Sequence, residues 1–395
     1  NIIASQSTNV DAVSGATYSS AGLVEAVRNA LANAATGEVP AETTPVPTAK
    51  TEPPATTVPA VPQETGKFPY PDGVYTGSGE GYGGTTKIEL TLKNGTIQKI
   101  HVVSNEDDEA FFKRAETLIS LVIQLKHPKK ALIVGPTYSE YEHELSLEGG
   151  RSHYFRLKES DDFKLNIDEL TQALDRDIDL LVLCNPNNPT SSQIDRQSMR
   201  IILDTCKEKG IFVMVDETYV EFSEKADEIT SIPLTNYYNN IIILRGISKF
   251  FAAPGLRLGY AICGNHQLLQ DIDSKKNPWT INSLAAVAGE IMFQDKEYIH
   301  DTKELISSER RRICGILDKC PNIKYYPPHG NFILVRILRD DVTSMDLFEA
   351  AIRKGLMIRD CSTFPFLDNK YIRFCFMNPA DNDALLDVLF EQLNK

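Results

Sequence analysis

Asp179-Leu180-Leu181-Val182-Leu183-Cys184-Asn185-Pro186-Asn187-Asn188-Pro189-Thr190 is the stretch on which the fold turns. Apolar residues run without alternation into a polar loop, the pattern of a strand buried on both faces and open at its carboxyl end. A helical pattern over residues 198–209 follows, then a second apolar run, Ile211-Phe212-Val213-Met214-Val215, which ends on Asp216-Glu217-Thr218-Tyr219. A third run, Ile241-Ile242-Ile243-Leu244, leads to Arg245-Gly246-Ile247-Ser248-Lys249. Upstream, a helix reaching about Lys126 precedes another strand at residues 131–134. This alternation predicts an α/β fold, a doubly wound parallel sheet whose site lies at the carboxyl ends of its strands. After about Asn322, apolar runs at 332–335 and 371–376 and helical patterns at 347–353 and 381–393 predict a smaller α+β domain.

Three polar termini on one edge of one sheet point to a site. Lys249 follows a strand and is flanked by Phe250, Phe251 and Leu256, so desolvation should lower its pKa toward a usable free amine. Such an amine forms an imine with an aldehyde cofactor. Ser248 and Arg257 suit the phosphate that such a cofactor carries. The set fits pyridoxal phosphate, with Asp216 keeping the pyridine nitrogen protonated and the ring an electron sink. Tyr219 and Asn188 would hydrogen-bond the ring phenolate, and Tyr138 would stack on the ring face. Arg373 is a charge within the apolar strand Tyr371-Ile372-Arg373-Phe374 and needs an anionic partner, for which a substrate carboxylate is the natural choice. Lys249 would then serve as the acid/base that moves the substrate proton.

Residues 116–395 resemble the class I/II aminotransferase family of pyridoxal-phosphate enzymes. The resemblance rests on Ser248-Lys249-Phe250-Phe251, on Pro254-Gly255-Leu256-Arg257-Leu258-Gly259-Tyr260, on Asn277-Pro278-Trp279-Thr280-Ile281-Asn282 and on Ile358-Arg359-Asp360-Cys361-Ser362. These motifs are similar to the threonine-phosphate decarboxylase branch of cobalamin synthesis and to its neighbour, histidinol-phosphate aminotransferase. The resemblance implies a large domain over 116–320, a small one over 321–395, a homodimer, and an amino-acid or amino-phosphate substrate. It also implies the roles given above for Tyr138, Asn188, Asp216, Tyr219, Ser248, Lys249, Arg257 and Arg373.

The chain departs from the family in three places. Ser191 stands where the family has Gly, and Gly246 where it has a hydroxyl, a loss of about 1.5–3 kcal/mol for a charged acceptor. Ahead of the first helix, the family's Gly-Asn-Gly loop gives way to Asn105-Glu106-Asp107-Asp108-Glu109, whose charges repel a phosphate at a helix N-terminus. Weakened cofactor binding is the expectation.

Residues 1–35 carry Asp11-Ala12-Val13-Ser14-Gly15-Ala16-Thr17 ahead of a helical face of Leu23, Val24, Val27 and Leu31. The motif resembles the flavinylation site of FMN-binding domains in ion-pumping oxidoreductases. That resemblance implies covalent FMN on Thr17, and an alternative function as an electron-transfer module of a membrane redox complex. Residues 36–66 are rich in Pro, Thr, Ala and Glu and predict an extended linker. Residues 67–115 open with a Gly-rich entry and continue into alternating strands at 86–92 and 96–103, joined by Asn94-Gly95, a strong hairpin signal. This block resembles the start of a second FMN-binding domain. The chain thus reads as a fusion.

Composition narrows the partners. Across 395 residues the net charge is -13, which argues against nucleic acid. No apolar run is long enough to span a bilayer, and the opening residues show neither an initiating Met nor a signal pattern, as expected of a fragment or processed product. Seven Cys, none in a CxxC pair, suggest reduced thiols in the cytoplasm and no metal site.

Overall fold

The computed structural model describes residues 26, 27, 29–31, 33, 70–80, 85–105, 117–276 and 281–394. Two compact units, Asn1–Glu116 and Thr117–Lys395, make up the chain. Thr17, residues 36–66, residues 106–116 and Asn277-Pro278-Trp279-Thr280 lie outside the described residues.

In the first unit β1 (Gly73–Glu80), β2 (Thr85–Lys93) and β3 (Thr96–Asn105) form an antiparallel sheet in that order. Asn94 and Gly95 join β2 to β3 with φ of 54° and 72°, the positive values that a tight hairpin turn requires. Alternate residues Ile88, Leu90 and Leu92 point to one face, as a period of two dictates, and pack with Tyr75 and Ile97. Ala26, Val27, Ala30 and Leu31, from the other side of the Pro-rich stretch, complete this core. Gly77 is required for the fit, because a Cβ there would lie 2.0 Å from the Ala26 carbonyl oxygen.

The second unit is built on a six-stranded sheet in the order β5-β4-β6-β7-β8-β9, with β4 (Lys130–Gly135), β5 (Arg151–Arg156), β6 (Leu180–Cys184), β7 (Phe212–Asp216), β8 (Ile241–Gly246) and β9 (Gly259–Ile262). All pairs are parallel except β8 with β9. The expectation of a parallel sheet therefore holds up to its last strand. β9 returns antiparallel because the connection holds only short helical turns and Arg257 at a φ of 50°, too little chain for a crossover helix.

Helices cover both faces, as continuous apolar strands demand. Val213, Val215, Ile241 and Ile243 pack under α3 (Arg196–Lys209) through Met199, Ile202, Leu203 and Cys206. Their neighbours Phe212, Met214, Ile242 and Leu244 face α1 (Thr117–Lys126) and α2 (Glu140–Leu147) through Val122, Ile123, Tyr141 and Leu145. Helix α3 starts on Asp195, whose carboxylate accepts Ser198 N at 2.8 Å, and stops at Gly210, φ 77°.

A second, four-stranded antiparallel sheet has the order β10-β11-β13-β12, formed by Ile323–Tyr325, Phe332–Ile337, Arg359–Asp360 and Tyr371–Cys375 in chain order. In sequence α4 (Ile247–Phe250) lies between β8 and β9 of the large sheet, and α5 (Lys296–Leu317), α6 (Ser344–Ile352) and α7 (Pro379–Leu393) bury Ile313, Leu347 and Leu389 against the smaller sheet. Among the described residues no helix is long and apolar enough to cross a membrane, and no cluster of side chains could hold a metal ion.

Candidate active site

The carboxyl ends of β6, β7 and β8 present Asn185–Thr190, Asp216–Tyr219 and Ser248–Lys249 at one edge of the large sheet. Asp216 closes β7 and is 9% exposed. Its carboxylate accepts hydrogen bonds from Tyr141 Oη at 2.6 Å, Thr218 N at 2.9 Å and Thr218 Oγ1 at 2.5 Å. These donors offset the cost of burying the carboxylate. Burial, reinforced by Asp216, raises the Tyr141 phenol well above its usual range, so it stays a donor.

Next to Asp216, the fully buried Glu217 ties the end of β7 to the end of β8. Its carboxylate accepts from Arg245 Nη2 at 2.7 Å and from Ser231 N at 2.6 Å. Arg245 also reaches Glu221 at 3.1 Å. This network fixes the strand ends from which Asp216 and Lys249 project.

Lys249 sits in α4, on the first turn after β8. Burial, followed by the Arg373 guanidinium and then Arg257, pulls its amine below the ordinary lysine range, while Cys375 and Asp216 act in the opposite sense. The neutral amine that nucleophilic and proton-transfer chemistry requires is thereby favoured.

Asn188 is buried, and its Oδ1 accepts a hydrogen bond from Arg373 Nη1 on β13. The Arg373 guanidinium lies 5.1 Å from the Phe332 ring centroid, and its Nε is buried with no hydrogen-bond partner. Tyr219 meets the Phe332 ring edge-on at 4.9 Å, and burial holds its phenol in the protonated form. Tyr138 packs edge-on against Tyr141 at 5.7 Å. On the far side of Lys249, Arg257 Nη1 donates to the Pro254 carbonyl at 3.2 Å. Gly246, before Ser248, has open space where a side chain would stand: a Cβ there would come no closer than 3.8 Å to any neighbour.

The structure gathers Asp216, Tyr219, Asn188, Lys249, Arg257 and Arg373 around one locus, with Tyr138 beside Tyr141 and Ser248 adjoining Lys249. Tyr141, Thr218, Phe332 and Cys375 join them without having been singled out from the sequence. Tyr141 lies in the first turn of α2, just after the loop that carries Tyr138, and nothing in the local pattern marks it as a partner of Asp216. Thr218 follows Asp216 at the spacing of an Asp-initiated turn.

The arrangement fits pyridoxal phosphate by its donor set. A desolvated amine, a buried and fully hydrogen-bonded carboxylate, and an arginine with an orphaned Nε are all present, each matching a different part of the cofactor and substrate.

Comparison with known proteins agrees. The family model "Aminotransferase class I and II" matches residues 57–389. The threonine-phosphate decarboxylase of Salmonella typhimurium is 34% identical over 69% of this chain and 73% of its own length. The histidinol-phosphate aminotransferase of Thermoanaerobacter pseudethanolicus is 31% identical over 79% of this chain and 80% of its own. The crystal structure of the histidinol-phosphate aminotransferase from Clostridium acetobutylicum superimposes with a TM-score of 0.66 at 29% identity, covering 70% of this chain and 81% of that one. Separately, an FMN-binding domain model matches residues 1–32. Neither match points to a membrane redox complex.

Proposed function

The chain belongs to the class I and II aminotransferases and is a pyridoxal-phosphate-dependent enzyme, and on that premise we propose that it decarboxylates a phosphorylated amino acid such as O-phospho-L-threonine. The observation that carries the site assignment is the half-buried Lys249 on the turn after β8, beside the strand end that carries the hydrogen-bonded Asp216. Lys249 would hold the cofactor, Asp216 its ring nitrogen, Tyr219 and Asn188 its ring oxygen, Tyr138 its face, and Ser248 and Arg257 its phosphate. When bound, the cofactor supplies an electron-withdrawing ring that makes a bond at the substrate's α-carbon labile.

The chain's own groups do the rest. Arg373 is read as the partner of the substrate carboxylate, because a half-buried guanidinium whose buried Nε lacks a hydrogen-bond partner calls for an anion. Phe332 backs the guanidinium and, with Tyr219, excludes water from that side. The lowered pKa of Lys249 favours the free amine that would exchange a proton with the α-carbon. Asp216, held by Tyr141 and Thr218, has little freedom to reorient as charge develops.

Transamination, the activity named for the histidinol-phosphate relatives, starts from the same site. An assay that follows carbon dioxide release from O-phospho-L-threonine beside amino transfer from histidinol phosphate to a 2-oxo acid separates the two. Carbon dioxide release without amino transfer is expected, and amino transfer alone refutes the decarboxylase reading.

The enzyme is proposed to act as a homodimer. Ile281, Leu284, Val287 and Ile291 stand exposed on or beside the helix Ser283–Met292, an apolar face suited to a second copy. Its seven unpaired thiols suit the cytoplasm. At the other end of the chain, the motif ending at Thr17 and the match over residues 1–32 support a covalent flavin there as a secondary feature. Flavin fluorescence on a denaturing gel, present in the native sequence and lost in Thr17→Ala, is the expected result.

A further inference from the structure

The loop that carries Asn188 closes on itself. Ser191 N donates to the Asn187 carbonyl at 2.7 Å, and Asn187 N donates to the Ser192 carbonyl at 2.8 Å. Within it Ser191 is fully buried and holds a φ of 59°, the left-handed region that glycine enters freely and serine does not. Its hydroxyl makes contacts that a glycine could not. Ser191 Oγ accepts the backbone N–H groups of His329 at 2.9 Å and Gly330 at 2.7 Å. The Gly330 carbonyl is in turn held by Arg310 Nη2 at 2.8 Å.

Just beyond Gly330 the chain enters β11 at Phe332, and Leu334 of that strand pairs with Arg373 of β13. Arg373 then returns to Asn188 through its own hydrogen bond. The contacts form a closed circuit from the loop after β6, through Ser191 to the loop before β11, across the smaller sheet, and back.

We propose that Ser191 is a positioning residue whose hydroxyl sets the separation between Asn188 and Arg373, and with it the grip of the site on the substrate carboxylate. The proposal rests on the reading of Arg373 given above. Without the Oγ acceptor, the loop before β11 loses both of its bonds to the side chain and keeps there the longer one, from His329 N to the Ser191 carbonyl at 3.2 Å, so the pair formed by Arg373 and Asn188 is held less tightly.

Two variants separate the hydroxyl from the backbone. Ser191→Ala keeps the left-handed strain and loses the acceptor, whereas Ser191→Gly loses both. The grip on O-phospho-L-threonine is read from KM, with kcat recorded beside it, and hydrogen exchange is followed at the His329 and Gly330 amides. Both variants should raise the KM for O-phospho-L-threonine about 10-fold and exchange those two amides faster, with pyridoxal-phosphate affinity changed by less than about 3-fold. If Ser191→Gly matches the native protein and only Ser191→Ala is impaired, backbone strain and not the hydroxyl is at work, and the proposal fails. Unchanged KM and exchange in both variants also overturns it. An Arg373→Ala control distinguishes the premise: a raised KM in the control but not in the Ser191 variants refutes the positioning role alone, and an unchanged KM in the control refutes the reading of Arg373.

Discussion

At one end of the site Asp216 is met by Tyr141 and by both the backbone and the hydroxyl of Thr218; at the other, Gly246 puts bare backbone where the family carries a hydroxyl. The end read as facing the ring nitrogen is buried and fully hydrogen-bonded. The end read as facing the phosphate keeps Ser248 and Arg257 but has no side chain at Gly246. The difference separates chemistry from affinity. On the proposed assignment, the group that would steer electrons is hydrogen-bonded in place, and those that would hold the cofactor are fewer.

The comparison is broken most directly at its stronger end. Asp216→Asn keeps the shape but removes the charge that would stabilise a protonated ring nitrogen, so kcat should fall by about 10²–10³-fold in a single-turnover assay. A smaller loss would mean that this end matters less than its hydrogen bonding suggests. At the weaker end Gly246→Ser should tighten pyridoxal-phosphate binding by about 10-fold, as read by equilibrium titration, because one hydrogen bond to a charged acceptor is restored. Gly246 has an extended φ of -142° and room for a Cβ, so the substitution carries no strain. No gain in affinity would show that the phosphate end is limited by something other than the missing hydroxyl.

The smallest expected effect concerns pH. Burial, with Arg310 close by, pushes the His329 imidazole down to about 4. A histidine whose pKa is depressed on folding binds fewer protons in the native state than in the unfolded one, so stability is full above about pH 6.5 and declines as pH falls toward 4. The decline should be on the order of 2 kcal/mol once partial exposure is allowed for, and urea titrations of His329→Asn over that range should show it flattened.

Much of this was legible before any coordinates. Continuous apolar runs at β6, β7 and β8 announced buried parallel strands, and the polar residues just past them had nowhere to go but one edge. Asn94-Gly95 announced its hairpin. What sequence reasoning could not see was contact across long separations. Tyr141 reaches Asp216 from 75 residues away, and Ser191 reaches Gly330 from 139. The antiparallel return of β9 was hidden as well, because a four-residue strand carries no mark of its direction. Nor did any local pattern show that Ala26, Val27, Ala30 and Leu31 share a core with the β1–β3 sheet, since only tertiary packing joins the two.

The central claim is that Lys249 is the residue to which the cofactor is joined. It is tested by the absorbance spectrum of the purified protein with added pyridoxal phosphate, recorded beside Lys249→Ala. The account predicts a band near ~420 nm in the native protein that is absent from the variant. A native protein without the band, or a variant that retains it, would contradict the account.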